Sequence, residues 1–322
     1  MDEIPRNAVS PSLKEDFGRS IYEEGGGALD NLASLDGRVS RYASAKSKAD
    51  AIMQHALARC NNDSDPGKFR AASRISQCGQ YLGFRHYLEQ DAVRLHSASF
   101  CKQKLVCPLC AIRIGAKTLK GYSDRLTALD TIHEGKGFVD QLVTLTVKNG
   151  FDLAERFKHL DDSRKALFMS RRDALRGNSS SEFGQIVAAV GAYEVTWGEG
   201  GWHPHVHIWV RGRRLLSQAS LKAQWAVITG DSFIVDVRPI TGERIGAFCE
   251  VFKYAAKFSD LTEEQVWQVW EVLQRRRLIF SIGDLRGVEI PETLLDEELT
   301  GPYVEYFYRW FEGTKVYSLG AP

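Results

Sequence analysis

The sequence predicts an α+β fold: a central antiparallel-rich sheet with flanking helices, behind an N-terminal zinc-binding helical region. Three observations predict it. Between Phe138 and Phe258, β-rich runs alternate with helical stretches in the order β-α-β-β-α-β-α. Two of those runs are separated only by Gly198-Glu199-Gly200-Gly201, a hairpin signal. Upstream, three of the six cysteines crowd into Cys101, Cys107 and Cys110. In a chain of 322 residues that density is too low for a disulfide scaffold and reads as metal binding.

Residues 1–36 are polar, include Glu23-Glu24-Gly25-Gly26-Gly27, and read as a flexible arm. A helix is expected over 38–60, then a break at Asn61–Gly67 (NNDSDPG). The cysteine block follows, with a helix over 113–130. Phe138–Val147 (FVDQLVTLTV) reads as a strand, 152–176 as a helix with basic residues, and Ile186–Trp197 and Trp202–Arg211 as the two hairpin strands. A helix at 217–228, a strand at 232–239 and a helix at 241–258 complete the set, with the helices expected on one face of the sheet. A helix at 262–274, a strand near Leu278–Ser281 and an acidic, aromatic end close the chain. The expected organisation is an arm (1–36), a helical region with the cysteine site (37–125), a sheet domain (126–285) and an acidic C-terminal segment (286–322).

Composition narrows the function classes. Apolar residues make up 43% and charged residues 26%, enough to bury a core. The 42 Lys and Arg nearly balance the 41 Asp and Glu, but unevenly along the chain. From Asp260 onward 12 acidic residues face 6 basic ones; the rest carries 36 basic and 29 acidic. A basic body permits a phosphate-bearing partner. The N-terminus lacks the apolar stretch of a signal peptide, and no apolar run approaches the ~20 residues of a membrane helix. A soluble, cytoplasmic protein with no membrane partner is expected.

Two segments carry chemistry. In Trp202-His203-Pro204-His205-Val206-His207, strand alternation turns all three imidazoles to one side, and neutral imidazole is a common ligand for divalent metals. A solvent-facing polar strand would carry the same alternation. Glu194, on the preceding strand, can reach the histidines once the hairpin closes, or stand exposed if the register differs. A metallo-β-lactamase-type site would need an Asp two residues past the second His, and none is there. In Ile245–Phe258, Glu250, Tyr254 and Lys257 stand at i, i+4 and i+7 and share a helix face. Tyrosine can serve as nucleophile and the carboxylate as general base; an amphipathic helix with a solvated Glu–Lys edge fits the pattern too.

In the cysteine block, Cys107-Pro108-Leu109-Cys110 forms a CxxC knuckle with Cys101 close by. A closed thiolate zinc site wants four ligands. Cys78 is the choice for the fourth, with His96 the alternative. Buried, reduced cysteines would be the plain structural explanation. Lys102, Lys104, Arg113, Lys117 and Lys120 surround the block and fit either a DNA-backbone contact or a solvated face.

The segments FVDQLVTLTV, WHPHVHIWV and KYAAK, in this order behind a cysteine block, resemble the HUH endonucleases. In detail the chain resembles rolling-circle plasmid replication initiators of the Rep family, the single-tyrosine group, over roughly residues 70–285. The resemblance implies a βαββαβ-like nicking and strand-transfer endonuclease acting on origin DNA, single-stranded at the nick. It implies Mg²⁺ or Mn²⁺ on His205 and His207, with His203 an accessory ligand or a structural residue and Glu194 a weaker ligand. Thr144 and Thr146 lie in the strand packed beside the site. Tyr254 is the implied nucleophile, Lys257 a phosphate-holding cation, and Glu250 the carboxylate that replaces a second tyrosine. It also favours Cys78 as the fourth zinc ligand. Arg211, Arg213 and Arg214, directly after the histidine strand, are expected to track DNA phosphates, as are Arg164, Lys165, Arg171, Arg172 and Arg176. Trp197, Trp202 and Trp209 could stack on bases, but core packing suits most of them. A host helicase is an expected partner. The alternatives are an HUH transposase or relaxase, and a non-catalytic zinc-dependent DNA-binding protein.

Overall fold

The computed structural model describes residues 35–241, 244–252, 258 and 260–320, except the side chain of Ile245. The first 34 residues of the expected arm, and Tyr254 and Lys257, lie outside the described residues.

The chain runs α1 (Leu35–Leu57), α2 (Pro66–Ser76), β1 (Tyr81–Tyr87), β2 (Ala92–Ala98), α3 (Pro108–His133), β3 (Val139–Thr146), α4 (Leu153–Leu175) and β4 (Ile186–Gly198). It continues through β5 (Gly201–Gly212), α5 (Gln218–Thr229), β6 (Val235–Pro239), α6 (Arg244–Val251), α7 (Glu263–Leu273), β7 (Ile279–Gly283), β8 (Tyr303–Phe311) and β9 (Val316–Leu319). Helix starts follow from local chemistry. Asp65 accepts from the Lys68 amide ahead of Pro66, Asp152 from Glu155 and Ser217 from Ser220, while Thr262 and Gln265 form a capping box. Each cap satisfies amides that the first turn leaves without a partner.

Five strands form an antiparallel sheet in the order β6-β3-β5-β4-β7. Alternation gives it two different faces. One carries Val143, Leu145, Val206, Ile208 and Val210, covered by Phe157, Leu160 and Leu167 of α4 and Leu221 and Trp225 of α5. The other carries Leu142, Ala188, Val190, Ala192 and Trp209. Leu119, Tyr122, Leu126 and Leu129 of α3 and Phe248 of α6 cover it. The expectation of helices on one face is therefore corrected. Both faces are apolar along much of their length, and each buries against its own pair of helices.

The α+β class holds, but the cysteine block is not purely helical. β1 and β2 form a hairpin inside it, and β8 and β9 extend that hairpin into a second antiparallel sheet, β2-β1-β8-β9. The hairpin turn carries Asp91 at φ 45° where a glycine would have signalled it. The β1–β8 pairing joins Tyr81 to Arg309, a distance along the chain that no local pattern reveals.

Candidate metal centres

The Gly-rich turn sets the register of the β4–β5 hairpin. Gly198 pairs with Gly201, and in consequence Glu194 pairs with His205 and Ala192 with His207. The carboxylate lands where two imidazoles converge. Glu194 Oε2 is 2.8 Å from His205 Nε2 and 2.9 Å from His207 Nε2. Glu194 is 2% exposed and His205 8%. Neighbours orient both rings. His205 Nδ1 lies 3.2 Å from the His203 carbonyl, which can only accept; a proton on Nδ1 would leave the Nε2 lone pair for a metal. His207 Nδ1 is 3.0 Å from Thr144 Oγ1, because β3 pairs Thr144 opposite His207. Such partners hold metal-ligating imidazoles in aim.

These three side chains form one of two groups of potential metal ligands among the described residues. Their spacing fits a divalent ion: two ligands at ~2.1 Å on adjacent octahedral positions stand about 3.0 Å apart. Two nitrogens and one carboxylate suit a divalent metal and leave coordination positions open. His203 is not in the group. Its Nδ1 hydrogen-bonds the Asn149 side-chain oxygen, and Gly150, next in the chain, pairs with Trp202 of β5. Asn149 has no motif around it, and only the turn-like Asn149-Gly150 hints at it.

Helix α6 packs onto this face. Phe248 stacks on Trp209, two residues beyond His207 on the same side of β5, with ring centroids 5.3 Å apart. Such a pair contributes ~0.5–1.5 kcal/mol beyond burial. Phe252 stacks on Tyr122 of α3 at 5.1 Å. Glu250 is half-buried on α6.

The second group is Cys78, Cys101, Cys107 and Cys110, all buried. Sγ separations are 3.6 Å for Cys78–Cys107, 3.5 Å for Cys78–Cys110 and 3.6 Å for Cys101–Cys110. Four thiolates at ~2.3 Å around zinc have tetrahedral edges of about 3.8 Å, so the group fits. Cys107 sits at the N-cap of α3 but makes no capping hydrogen bond; its thiol turns to the other cysteines. Hydrogen bonds from Cys107 and Cys110 pull the Cys101 thiol down, and the same bonds push Cys107 and Cys110 up. His96 is outside the group, 3.8 Å from the Glu305 carboxylate. Cys60 bonds the Ala56 carbonyl, and Cys249, on α6, is buried in the cluster between that helix and the sheet.

The arginine expectations change. Arg211 is 4% exposed, and its guanidinium bonds Asp140 at 2.7 and 2.8 Å and Asp130 at 2.8 Å. The acids come from α3 and β3, so the sequence around Arg211 hides them, and its guanidinium is paired inside the protein. Arg214 pairs with Glu182, and Arg213 is exposed. The α4 cations lie over the face opposite the histidines, where Arg164 bonds Asp161 and Arg171 the Ile186 carbonyl. Near the cysteines, Arg113 is buried against the Leu294 carbonyl, Tyr42 and Asp296, and Lys117 is buried; Lys102 and Lys104 are exposed. Trp202 and Trp209 are buried in the core and Trp197 is half-exposed.

Residues 92–301, well over half of the chain, match the family described as replication protein. The chain belongs to that family. It is 25% identical to Protein rep of Bacillus amyloliquefaciens, across 85% of this chain and 92% of that protein. It is 25% identical to Protein rep of a Bacillus species, over 71% and 83% respectively. It is 29% identical to Protein rep of Streptococcus pneumoniae serotype 2, over 63% and 66%. No solved structure matches it significantly. The resemblance to Rep-family initiators read in the sequence is thus borne out. The matched family segment contains Cys101, Cys107, Cys110, Glu194 and the histidines, while Cys78 lies before it. Among the described residues no helix is long and apolar enough to cross a membrane.

Proposed function

We propose that this replication protein initiates rolling-circle replication of a plasmid by nicking one strand of its origin. The observation that carries the reading is the convergence of Glu194, His205 and His207 on the sheet face where α6 packs. Those three residues would hold Mg²⁺ or Mn²⁺, with Thr144 and the His203 carbonyl keeping the rings in aim. A divalent cation bound there supplies charge neutralisation at the scissile phosphate. The Tyr254 hydroxyl attacks phosphorus in line. A Tyr–O–P bond forms, the P–O3′ bond breaks, and the tyrosine's proton ends on the departing 3′ oxygen. The products are a 5′-phosphotyrosine and a 3′-OH that primes synthesis. Lys257 holds the phosphate by charge. At termination Glu250 takes a proton from water, so the second transfer goes to water rather than to another tyrosine. Cys78, Cys101, Cys107 and Cys110 hold a structural zinc. Unwinding beyond the nick calls on a helicase of the host.

The test is incubation with labelled single-stranded origin DNA and Mn²⁺, followed by denaturing electrophoresis. Wild type should become covalently linked; Tyr254→Phe should not. His205→Ala combined with His207→Ala should lose metal-dependent cleavage. Attachment retained in Tyr254→Phe, or cutting retained in the double variant, refutes the mechanism.

A further inference from the structure

The acidic end of the chain holds one basic run, Arg275-Arg276-Arg277, between α7 and β7. The sheet register places its last member. Ile279 pairs with Ala192, and the Tyr193 amide donates to the Leu278 carbonyl at 3.1 Å, so pairing runs one residue beyond β7. Arg277 comes next, across from Glu194. Leu278 belongs to the core on the α4 side and Ile279 packs on the opposite side, so alternation gives Arg277 to the face that carries Glu194, His205 and His207. Its Nε donates to the Ile279 carbonyl at 3.0 Å, which holds the guanidinium at the edge strand of the sheet. The side chain is exposed, and its two terminal nitrogens have no partner among the described residues. Arg276 turns the other way, with its guanidinium 5.4 Å from the centre of the Phe157 ring on the α4 side.

A recess opens beside this edge. Its walls include Leu105 and Ile114, Ala192 of β4, Phe252 after α6, and Leu278 and Ile279. Among the described residues the one charged side chain lining it is Lys104, exposed and without a partner there. The recess adjoins the metal-ligand group. Ala192 faces His207 across the hairpin, about 5 Å between Cβ atoms. Glu194 is two residues farther along β4, about 7 Å. Phe252 stands two residues before Tyr254 in the sequence. Lys104 lies between Cys101 and Cys107, so the cysteine group brackets the loop that carries it. Two cations without counter-ions thus border a group suited to hold a third, and the backbone phosphates of a nucleic acid compensate all of them.

We propose that Lys104 and Arg277 clamp the backbone of the DNA strand at the phosphates flanking the scissile one. The proposal rests on the nicking function above and adds the subsite that holds the strand along the sheet edge. It also gives the cysteine block a part in binding, because its loop supplies one of the two cations. Contacts of this kind position the strand and read no base.

The experiment uses the full-length protein and a single-stranded oligonucleotide that the wild type cleaves, with binding measured over a range of salt. Lys104→Ala and Arg277→Ala should each weaken binding about 10-fold. Each should also flatten the slope of log K against log salt by ~0.7, the value for one single-strand phosphate. Circular dichroism and zinc content should stay as in the wild type. Arg276→Ala, from the same run but on the other face, should change neither affinity nor slope. Versions of the oligonucleotide carrying one neutral methylphosphonate at each position beside the nick locate the contact. The position that costs the wild type about 10-fold should cost the Lys104→Ala/Arg277→Ala double variant nothing further. Unchanged affinity and slope in either single variant, equal methylphosphonate penalties in double variant and wild type, or an equal loss in Arg276→Ala overturns the clamp while wild-type nicking stands. A wild type that neither binds nor cuts any single strand overturns both.

Discussion

Glu194 brings a carboxylate into a nearly closed site between two imidazoles, at 2.8 and 2.9 Å. A carboxylate that far from water needs compensation when ionised, and a cation between it and the imidazoles would supply it. Losing a group that merely orients a metal ligand costs about 10–100-fold in affinity; losing the charged ligand itself should cost no less. Glu194→Gln, nearly isosteric, is expected to bind Mn²⁺ at least tenfold more weakly by titration calorimetry while keeping the wild-type circular dichroism. Arg211 makes the opposite case. Its charge is matched inside the protein by Asp140 and Asp130, so Arg211→Ala removes stability, not DNA affinity. A broken buried pair costs ~3–5 kcal/mol, and the low end applies because Arg244 also reaches Asp140. Urea unfolding should show that loss, while the salt dependence of DNA binding stays as in the wild type.

At the scale of elements, the cysteine group ties three segments that pack little against one another otherwise. Cys78 follows α2, Cys101 follows β2, and Cys107 and Cys110 open α3. A thiolate at the start of a helix is also favoured by the positive end of the helix dipole. Elemental analysis should find one zinc per chain, and Cys107→Ser should lose it. The variant should melt at lower temperature, and amide exchange should accelerate chiefly between residues 78 and 110. The β4–β5 hairpin works differently, since its register is set locally by the Gly198–Gly201 turn. A one-residue slip would send every histidine to the far face. The hairpin should therefore keep its geometry when zinc is removed.

Across the whole molecule, Asp296 joins what the chain separates. Its carboxylate accepts from Arg38 of α1 at 2.9 Å, from the Leu95 amide of β2 at 2.7 Å, and from Arg113 of α3. Burial alone would raise its pKa, but the two guanidinium groups and the Leu95 amide outweigh it and hold the carboxyl well below its ordinary value of 3.8. A depressed folded pKa contributes stability that is present in full above 3.8 and is lost as pH falls below it toward the folded value. Unfolding free energy should drop as pH falls through that window. Asp296→Asn should be less stable at neutral pH, by ~3–5 kcal/mol if Arg38 and Arg113 are left buried without their partner, and should show a flatter acid limb. Urea titrations from pH 7 to pH 3 measure both.

Much of the site was legible because its signals are local. Alternation put His205 and His207 on one side, and a four-residue glycine turn was enough to carry Glu194 to them. CxxC spacing marked Cys107 and Cys110, with Cys101 close by and Cys78 within reach of the same block. The second sheet was not legible, because β1 pairs with a strand more than 200 residues away and its own turn lacks glycine. The burial of Arg211 and Arg113 was not legible either, since their partners come from other elements. Spacing along the chain by itself brought the candidate ligands together, because strand period and turn length are short-range properties, and the ordered motifs carried the resemblance to the family. Only the tertiary structure decided which charges face solvent and which strands close the second sheet, because pairing and burial depend on neighbours that folding alone brings together.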